Sequence, residues 1–155
     1  MAERFKKVPL KASTAYIVKD TLERLSLNNI KDSRMVVCVL DLLDRAFDFT
    51  ALENERQRHI ELQKKAALAY NEGKATPEQE KLVSMQRYIW WKQVYASLDE
   101  MIQETNLVAP EAAVNFVADL LGKQSYDATG ARQIMLFADA VEAAPTEVLE
   151  TKKAA

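Results

Sequence analysis

Glycine and proline are so scarce in this chain that they act as punctuation. Gly73, Gly122 and Gly130 are its glycines; Pro9, Pro77, Pro110 and Pro145 are its prolines. Glycine alone enters the left-handed backbone freely, so it ends helices, and proline lacks an N–H, so it opens or breaks them. Nearly all of these residues fall where a helix should start or stop. The segments between them carry apolar residues at helical spacing. The pattern predicts an all-α protein of about six helices, including a long antiparallel helical hairpin, with a disordered C-terminal tail.

The organisation follows from the same marks. Residues 1–12 hold Arg4, Lys6, Lys7 and Lys11 against Glu3, and contain Pro9, so they read as a basic, extended N-terminal arm. Residues 13–144 form a single all-helical domain. Residues 145–155, small, polar and charged, read as the disordered tail. A first helix is expected over 14–26, capped by Ser13 or Thr14, with Ala15, Val18, Leu22 and Leu25 on one face. A second, over 33–48 and capped by Asp32 or Ser33, is read as central and mostly buried. Its run Met35–Leu40 resembles a strand in isolation, but no other segment offers it a partner. Thr50 and Glu53 form a capping-box pattern for a polar helix that stops at Gly73, and Thr76-Pro77-Glu78-Gln79 opens the next. That helix reads unbroken from 77 to about 105, on the order of 40 Å long. Pro110 opens a helix ending at Gly122, and the last helix, over 130–143, ends before Pro145.

Composition limits the setting. A single cysteine, Cys38, excludes an internal disulfide and suits a reducing, cytoplasmic compartment. In its apolar run it reads as a buried small residue. No stretch approaches the ~20 apolar residues that span a membrane, and no signal peptide is evident. The net charge of −2 is unevenly spread: residues 1–96 carry 17 basic and 13 acidic side chains, and residues 97–150 carry 2 and 10. Complementary ends favour head-to-tail association into a homo-oligomer or an open-ended assembly.

No residues assemble a catalytic, cofactor or metal site. His59 is the only histidine, and with Glu55 it makes only a helical pair read as solvent-exposed. Asp41, Asp44 and Asp48 edge the second helix, and Asp41 to Arg45 is an ion-pair spacing. Di-metal bundles need repeated Glu-x-x-His pairs, which are missing here. Nucleic acid is disfavoured as a partner. The basic arm and the run Arg87–Lys92 invite it, but the last helix offers Arg132 alone against Asp139 and Glu142. The candidate protein-interaction residues are Tyr88, Trp90, Trp91 and Tyr95. They lie on more than one side of a helix whose core stripe is already supplied by Leu82, Met85 and Ile89, so either they pack internally or one tryptophan anchors a partner.

The chain's size, its helical organisation and its charged tail ending in Lys152-Lys153 resemble the tail assembly chaperones of long-tailed, lambda-like bacteriophages. Consecutive lysines are one peptide signature of the slippery codons at which such chaperones are extended by a programmed frameshift. The resemblance implies a non-enzymatic chaperone that coats the phage tape measure protein during tail assembly, with no cofactor and no membrane, in the host cytoplasm. It carries no residue-level binding motif beyond the frameshift-proximal Lys152 and Lys153. On that expectation the polar hairpin, residues 51–104, or the aromatic patch on it joins the copies. Two other readings share most of these features: a helical adaptor or inhibitor of one partner protein, and a nucleic-acid-binding accessory protein.

Overall fold

The computed structural model describes residues 2–150. In chain order these form β1 (Ala2–Leu10), α1 (Ala12–Glu23), α2 (Ile30–Ala46), α3 (Phe49–Asn71), α4 (Pro77–Ser84), α5 (Arg87–Met101), β2 (Thr105–Pro110), α6 (Glu111–Gly122), α7 (Ala128–Ala143) and β3 (Thr146–Glu150). The chain is mostly helical, as expected, but not all-α. It has seven helices and a three-stranded antiparallel sheet in the order β2-β1-β3 among the described residues.

The sheet corrects both ends of the reading. The expected basic arm is the middle strand, and residues 146–150 of the expected disordered tail are an edge strand; residues 151–155 lie outside the described residues. The arm's charge concealed a two-residue alternation. Lys6, Val8 and Leu10 point inward and are buried, while Lys7 and Pro9 face out. The Lys6 ammonium donates to the Val141 carbonyl at 2.8 Å, in the last turn of α7, where a cation meets the negative end of the helix. Residues Phe5–Leu10 pair with β2, and Ala2–Lys6 pair with β3. At Pro9 the strand therefore has a neighbour on one side only, the place in a sheet where proline is tolerated. The uneven charge is partly consumed here. Lys7 of the basic end faces Glu147 of the acidic end at 3.7 Å within one molecule.

Leu107 and Ala109 of β2 complete the buried face of the sheet, against which α6 and α7 pack. The central helix is α1 rather than α2. It buries Ala12, Ser13, Thr14, Ala15, Val18 and Leu22, and touches α2, α3, α5, α6 and α7. By contrast α2, helical across Met35–Leu40 as expected, buries only Val36, Val39 and Leu43. Ser13 and Thr14 do not cap α1 but lie inside its first turn. Asp99 of α5 reaches across to cap it, accepting from the Ser13 amide at 2.9 Å and hydroxyl at 3.1 Å. Likewise Asn29, not Asp32 or Ser33, caps α2, and Asp48, not Thr50, caps α3. The expected Asp41–Arg45 pair does not form among the described residues; Asp44 faces Lys19 at 3.7 Å instead.

The hairpin forms with a break. Helix α3 ends before Gly73, whose φ of 72° needs glycine. The capping box at Thr76 and Gln79 is complete. The return helix, expected unbroken over 77–105, is extended at Met85 and Gln86 and again beyond Met101. The first break carries no glycine or proline. Beyond it, α5 buries Tyr95 and Leu98 in the main core and packs against α1. The second break releases the chain into β2.

Two substitutions test this architecture. Replacing buried Leu10 with Ala should cost about 2–5 kcal/mol in urea unfolding, because it empties part of a core beneath a middle strand. An arm in solvent would give no change. Asp99→Ala should cost about 1–2 kcal/mol by the same measurement, the usual loss for a helix cap.

Candidate functional site

A cleft of about 610 Å³ opens where α1, α3, the first half of α5 and the α6–α7 turn meet. Its volume suits a docked side-chain cluster or a small ligand. Two helices supply facing stripes at four-residue spacing: Tyr16 and Asp20 from α1 with Arg24 at its C-terminal cap, and Arg87, Trp91 and Tyr95 from α5. Arg56 enters from α3, and Tyr126 and Asp127 come from the α6–α7 turn.

Aromatic packing shapes the inner wall. Trp91 stacks on Tyr95 with ring centroids 5.7 Å apart, and the Arg56 guanidinium lies 5.5 Å from the Trp91 ring centre. Most polar groups already have partners. The Tyr16 hydroxyl donates to Glu53, and burial together with that bond pushes it above the usual phenol range. Burial opposes ionisation of Glu53, but the Tyr16 hydroxyl, Gln57 and Arg56 outweigh it and hold the carboxyl below its usual range. The Tyr126 hydroxyl donates to the Leu121 carbonyl at 2.8 Å. Asp127 accepts from the Gly130 amide at 2.7 Å, capping α7. Arg24 pairs with Asp20 at 3.1 Å.

Tyr95 is only 8% exposed as a residue; its hydroxyl lies on the cleft wall and is not enclosed, the fully buried side-chain polar atom without a hydrogen-bond partner among the described residues being Glu147 Oε2. Burial pushes this phenol up to about 12, with Asp127 adding to the rise and Arg56 opposing it. It therefore stays protonated at neutral pH, a donor rather than a nucleophile. Arg87, at the start of α5, is exposed and has no carboxylate partner. No group of three or more His, Cys, Asp or Glu is placed to hold a metal among the described residues. The arrangement can bind; it holds no base poised on a nucleophile.

The four aromatic residues singled out in the sequence are split by the fold. Trp91 and Tyr95 line the cleft. Trp90, at 6% exposure, does not line the cleft but packs edge-on against Trp91, with ring centroids 4.7 Å apart. With Val94 and Ala66 it is buried but outside the main core, on the two helices α3 and α5 that pack together. Tyr88 is exposed. Lys152 and Lys153 lie outside the described residues. Tyr16, Arg56, Arg87 and Tyr126 were missed as a group. The Tyr16–Asp20–Arg24 stripe is visible in the sequence, but nothing there says that it faces α5.

A second polar cluster ties the hairpin to α5. Glu55 accepts from the Arg58 guanidinium and from the Ser97 hydroxyl at 2.8 Å, and lies 3.1 Å from the His59 ring. The Glu55–His59 pair is thus half-buried rather than exposed. Arg58 first, then Ser97, hold the Glu55 carboxyl down at about 2.

No protein-family model matches this chain, and neither a curated protein nor a solved structure does. No helix among the described residues is long and apolar enough to cross a membrane.

Two measurements follow from these placements. Folding favours the ionised Glu55, so its contribution is whole above the ordinary carboxylate range and is lost as pH falls from about 4.5 toward about 2. Glu55→Gln should therefore flatten the loss of stability across that window in urea titrations. Trp90→Ala should cost about 3–5 kcal/mol, whereas Tyr88→Ala should stay within about 0.5 kcal/mol of the parent.

Proposed function

We propose that this chain is a non-enzymatic assembly chaperone that binds the tape measure protein during phage tail morphogenesis in the host cytoplasm, and that its copies associate along that client. The observation that supports this most is the hairpin. Helix α3 is 23 residues long yet buries only Leu52 and Ala66. Leu62, Leu68 and Tyr70 on it, and Tyr88 and Ile89 at the start of α5, are exposed. Large apolar side chains left in water on an arm that adds little to the core mark a surface for a partner. A helical client with apolar stripes is the kind of partner such an arm can lie along. Coating a client of great length needs many copies, and distinct surfaces for client and neighbour.

The reading is tested on the native gene with its natural downstream DNA, expressed and weighed by intact mass. The expected result is a minor longer product sharing this N-terminus and diverging near Lys152-Lys153. A single product, together with failure to keep a co-expressed tape measure helix soluble, would overturn the proposal. Leu68→Ser and Tyr70→Ser, both at exposed positions, should leave the urea midpoint within the ~0.5 kcal/mol expected for surface changes while lowering client recovery.

A further inference from the structure

We propose that the outer face of α2 in one copy of this chain packs, antiparallel, on the outer face of α7 in the next; this rests on the multi-copy reading above. Both helices pack on α6, and each turns one stripe into the core: Val36, Val39 and Leu43 from α2, and Ile134, Phe137 and Val141 from α7. The opposite stripes stay in water. They are Ile30, Arg34, Val37 and Asp41 on α2, and Arg132, Met135, Leu136, Asp139 and Glu142 on α7. A solvated helix face is ordinarily polar, yet large apolar groups sit within both of these. Ile30 and Val37 are 70% and 51% exposed, and Met135 and Leu136 are 61% and 53%.

The charges around those groups match from one stripe to the other. Arg34 and Asp41 stand seven residues apart on α2, as do Arg132 and Asp139 on α7, about 10 Å along each axis. When the helices lie antiparallel with Val37 over Met135 and Leu136, Arg34 faces Asp139 and Asp41 faces Arg132. In the same register exposed Lys31 lies toward Glu142. Laid parallel, the helices would oppose Arg34 to Arg132 and Asp41 to Asp139, and like charges would part them. None of Lys31, Arg34, Asp41, Arg132, Asp139 and Glu142 has an ion-pair partner within the molecule among the described residues.

Self-pairing of either stripe is less complete. Across an antiparallel α2–α2 pair Lys31 meets Asp44, which Lys19 already holds at 3.7 Å. Across an α7–α7 pair Glu142 meets Thr129. Because the two stripes differ, the contact is heterologous, and copies add head to tail rather than closing as a symmetric pair.

The test uses the full chain in sedimentation velocity, from micromolar to millimolar concentration, with far-UV circular dichroism as the check on folding. The parent should grow with concentration, and less so at high salt. Arg34→Glu sets an acid against Asp139, and Asp139→Arg sets a base against Arg34. Both positions are exposed, so the fold should hold. Each change should weaken association about ten-fold or more, since like charges then oppose. The decisive arm mixes the two variants in equal amounts. The reversed α2 of one fits the reversed α7 of the other, and their unaltered faces fit as in the parent, so growth should return. A parent that stays monomeric overturns the proposal, as does a mixture that regains nothing. Asp139→Arg that still associates alone would show α2 pairing with itself, and Arg34→Glu that does so would show α7 pairing with itself; either result overturns it too. Each of these outcomes removes this contact while leaving the chaperone reading to its own client test.

Discussion

Everything in this molecule hangs on the strand β1, Ala2–Leu10. β1 pairs with β2 on one side and β3 on the other, so the start of the chain lies between two segments from its last third. Its inward residues, Lys6, Val8 and Leu10, meet the layer that holds α6 and α7. The Lys6 bond to Val141 fixes the far end of α7 to the strand. β1 finds its partners only when the C-terminal third is present, so the core closes through contacts of long sequence separation. The charge difference between the ends of the sequence has a use inside the molecule. Lys7 faces Glu147 across the sheet.

That closed core leaves a division of labour. Helix α1 is fastened at its start by Asp99 and buried along most of its length, while α3 and α4 project a polar hairpin with little core of their own. The network of Glu55, Arg58, Ser97 and His59 anchors the base of the hairpin to α5. The cleft lies at the same junction, where a rigid core meets an arm with exposed apolar side chains. After the break in the helix at Met85–Gln86, α5 packs on both α1 and α3, and its Tyr95 joins the core and lines the cleft.

Much of this was legible from residue types alone. Gly73, the capping box at Thr76, Pro110 and Pro145 each end or open a helix where their backbone chemistry requires it. What stayed hidden was long-range. Lys6 looked like a solvated charge because the carbonyl that accepts from it is 135 residues away. The cap of α1 comes from Asp99, far from the serine it holds. The break at Met85 carries no glycine or proline to announce it. Of the candidate site, Trp91 and Tyr95 could be found by their spacing. Tyr16 and Arg56 could not, because only the tertiary fold carries them to the same cleft.

On the proposed function, a closed, β1-centred core should stay shut while a separate arm binds the client. Hydrogen exchange with and without the tape measure protein tests it most directly. The amides of Val8 and Leu10 should exchange only through global opening, whether or not client is present, and those of α3 and α4 should exchange faster when free and slow markedly on binding. Protection that appears instead in β1, or a hairpin as slow as the core before any client is added, would contradict it.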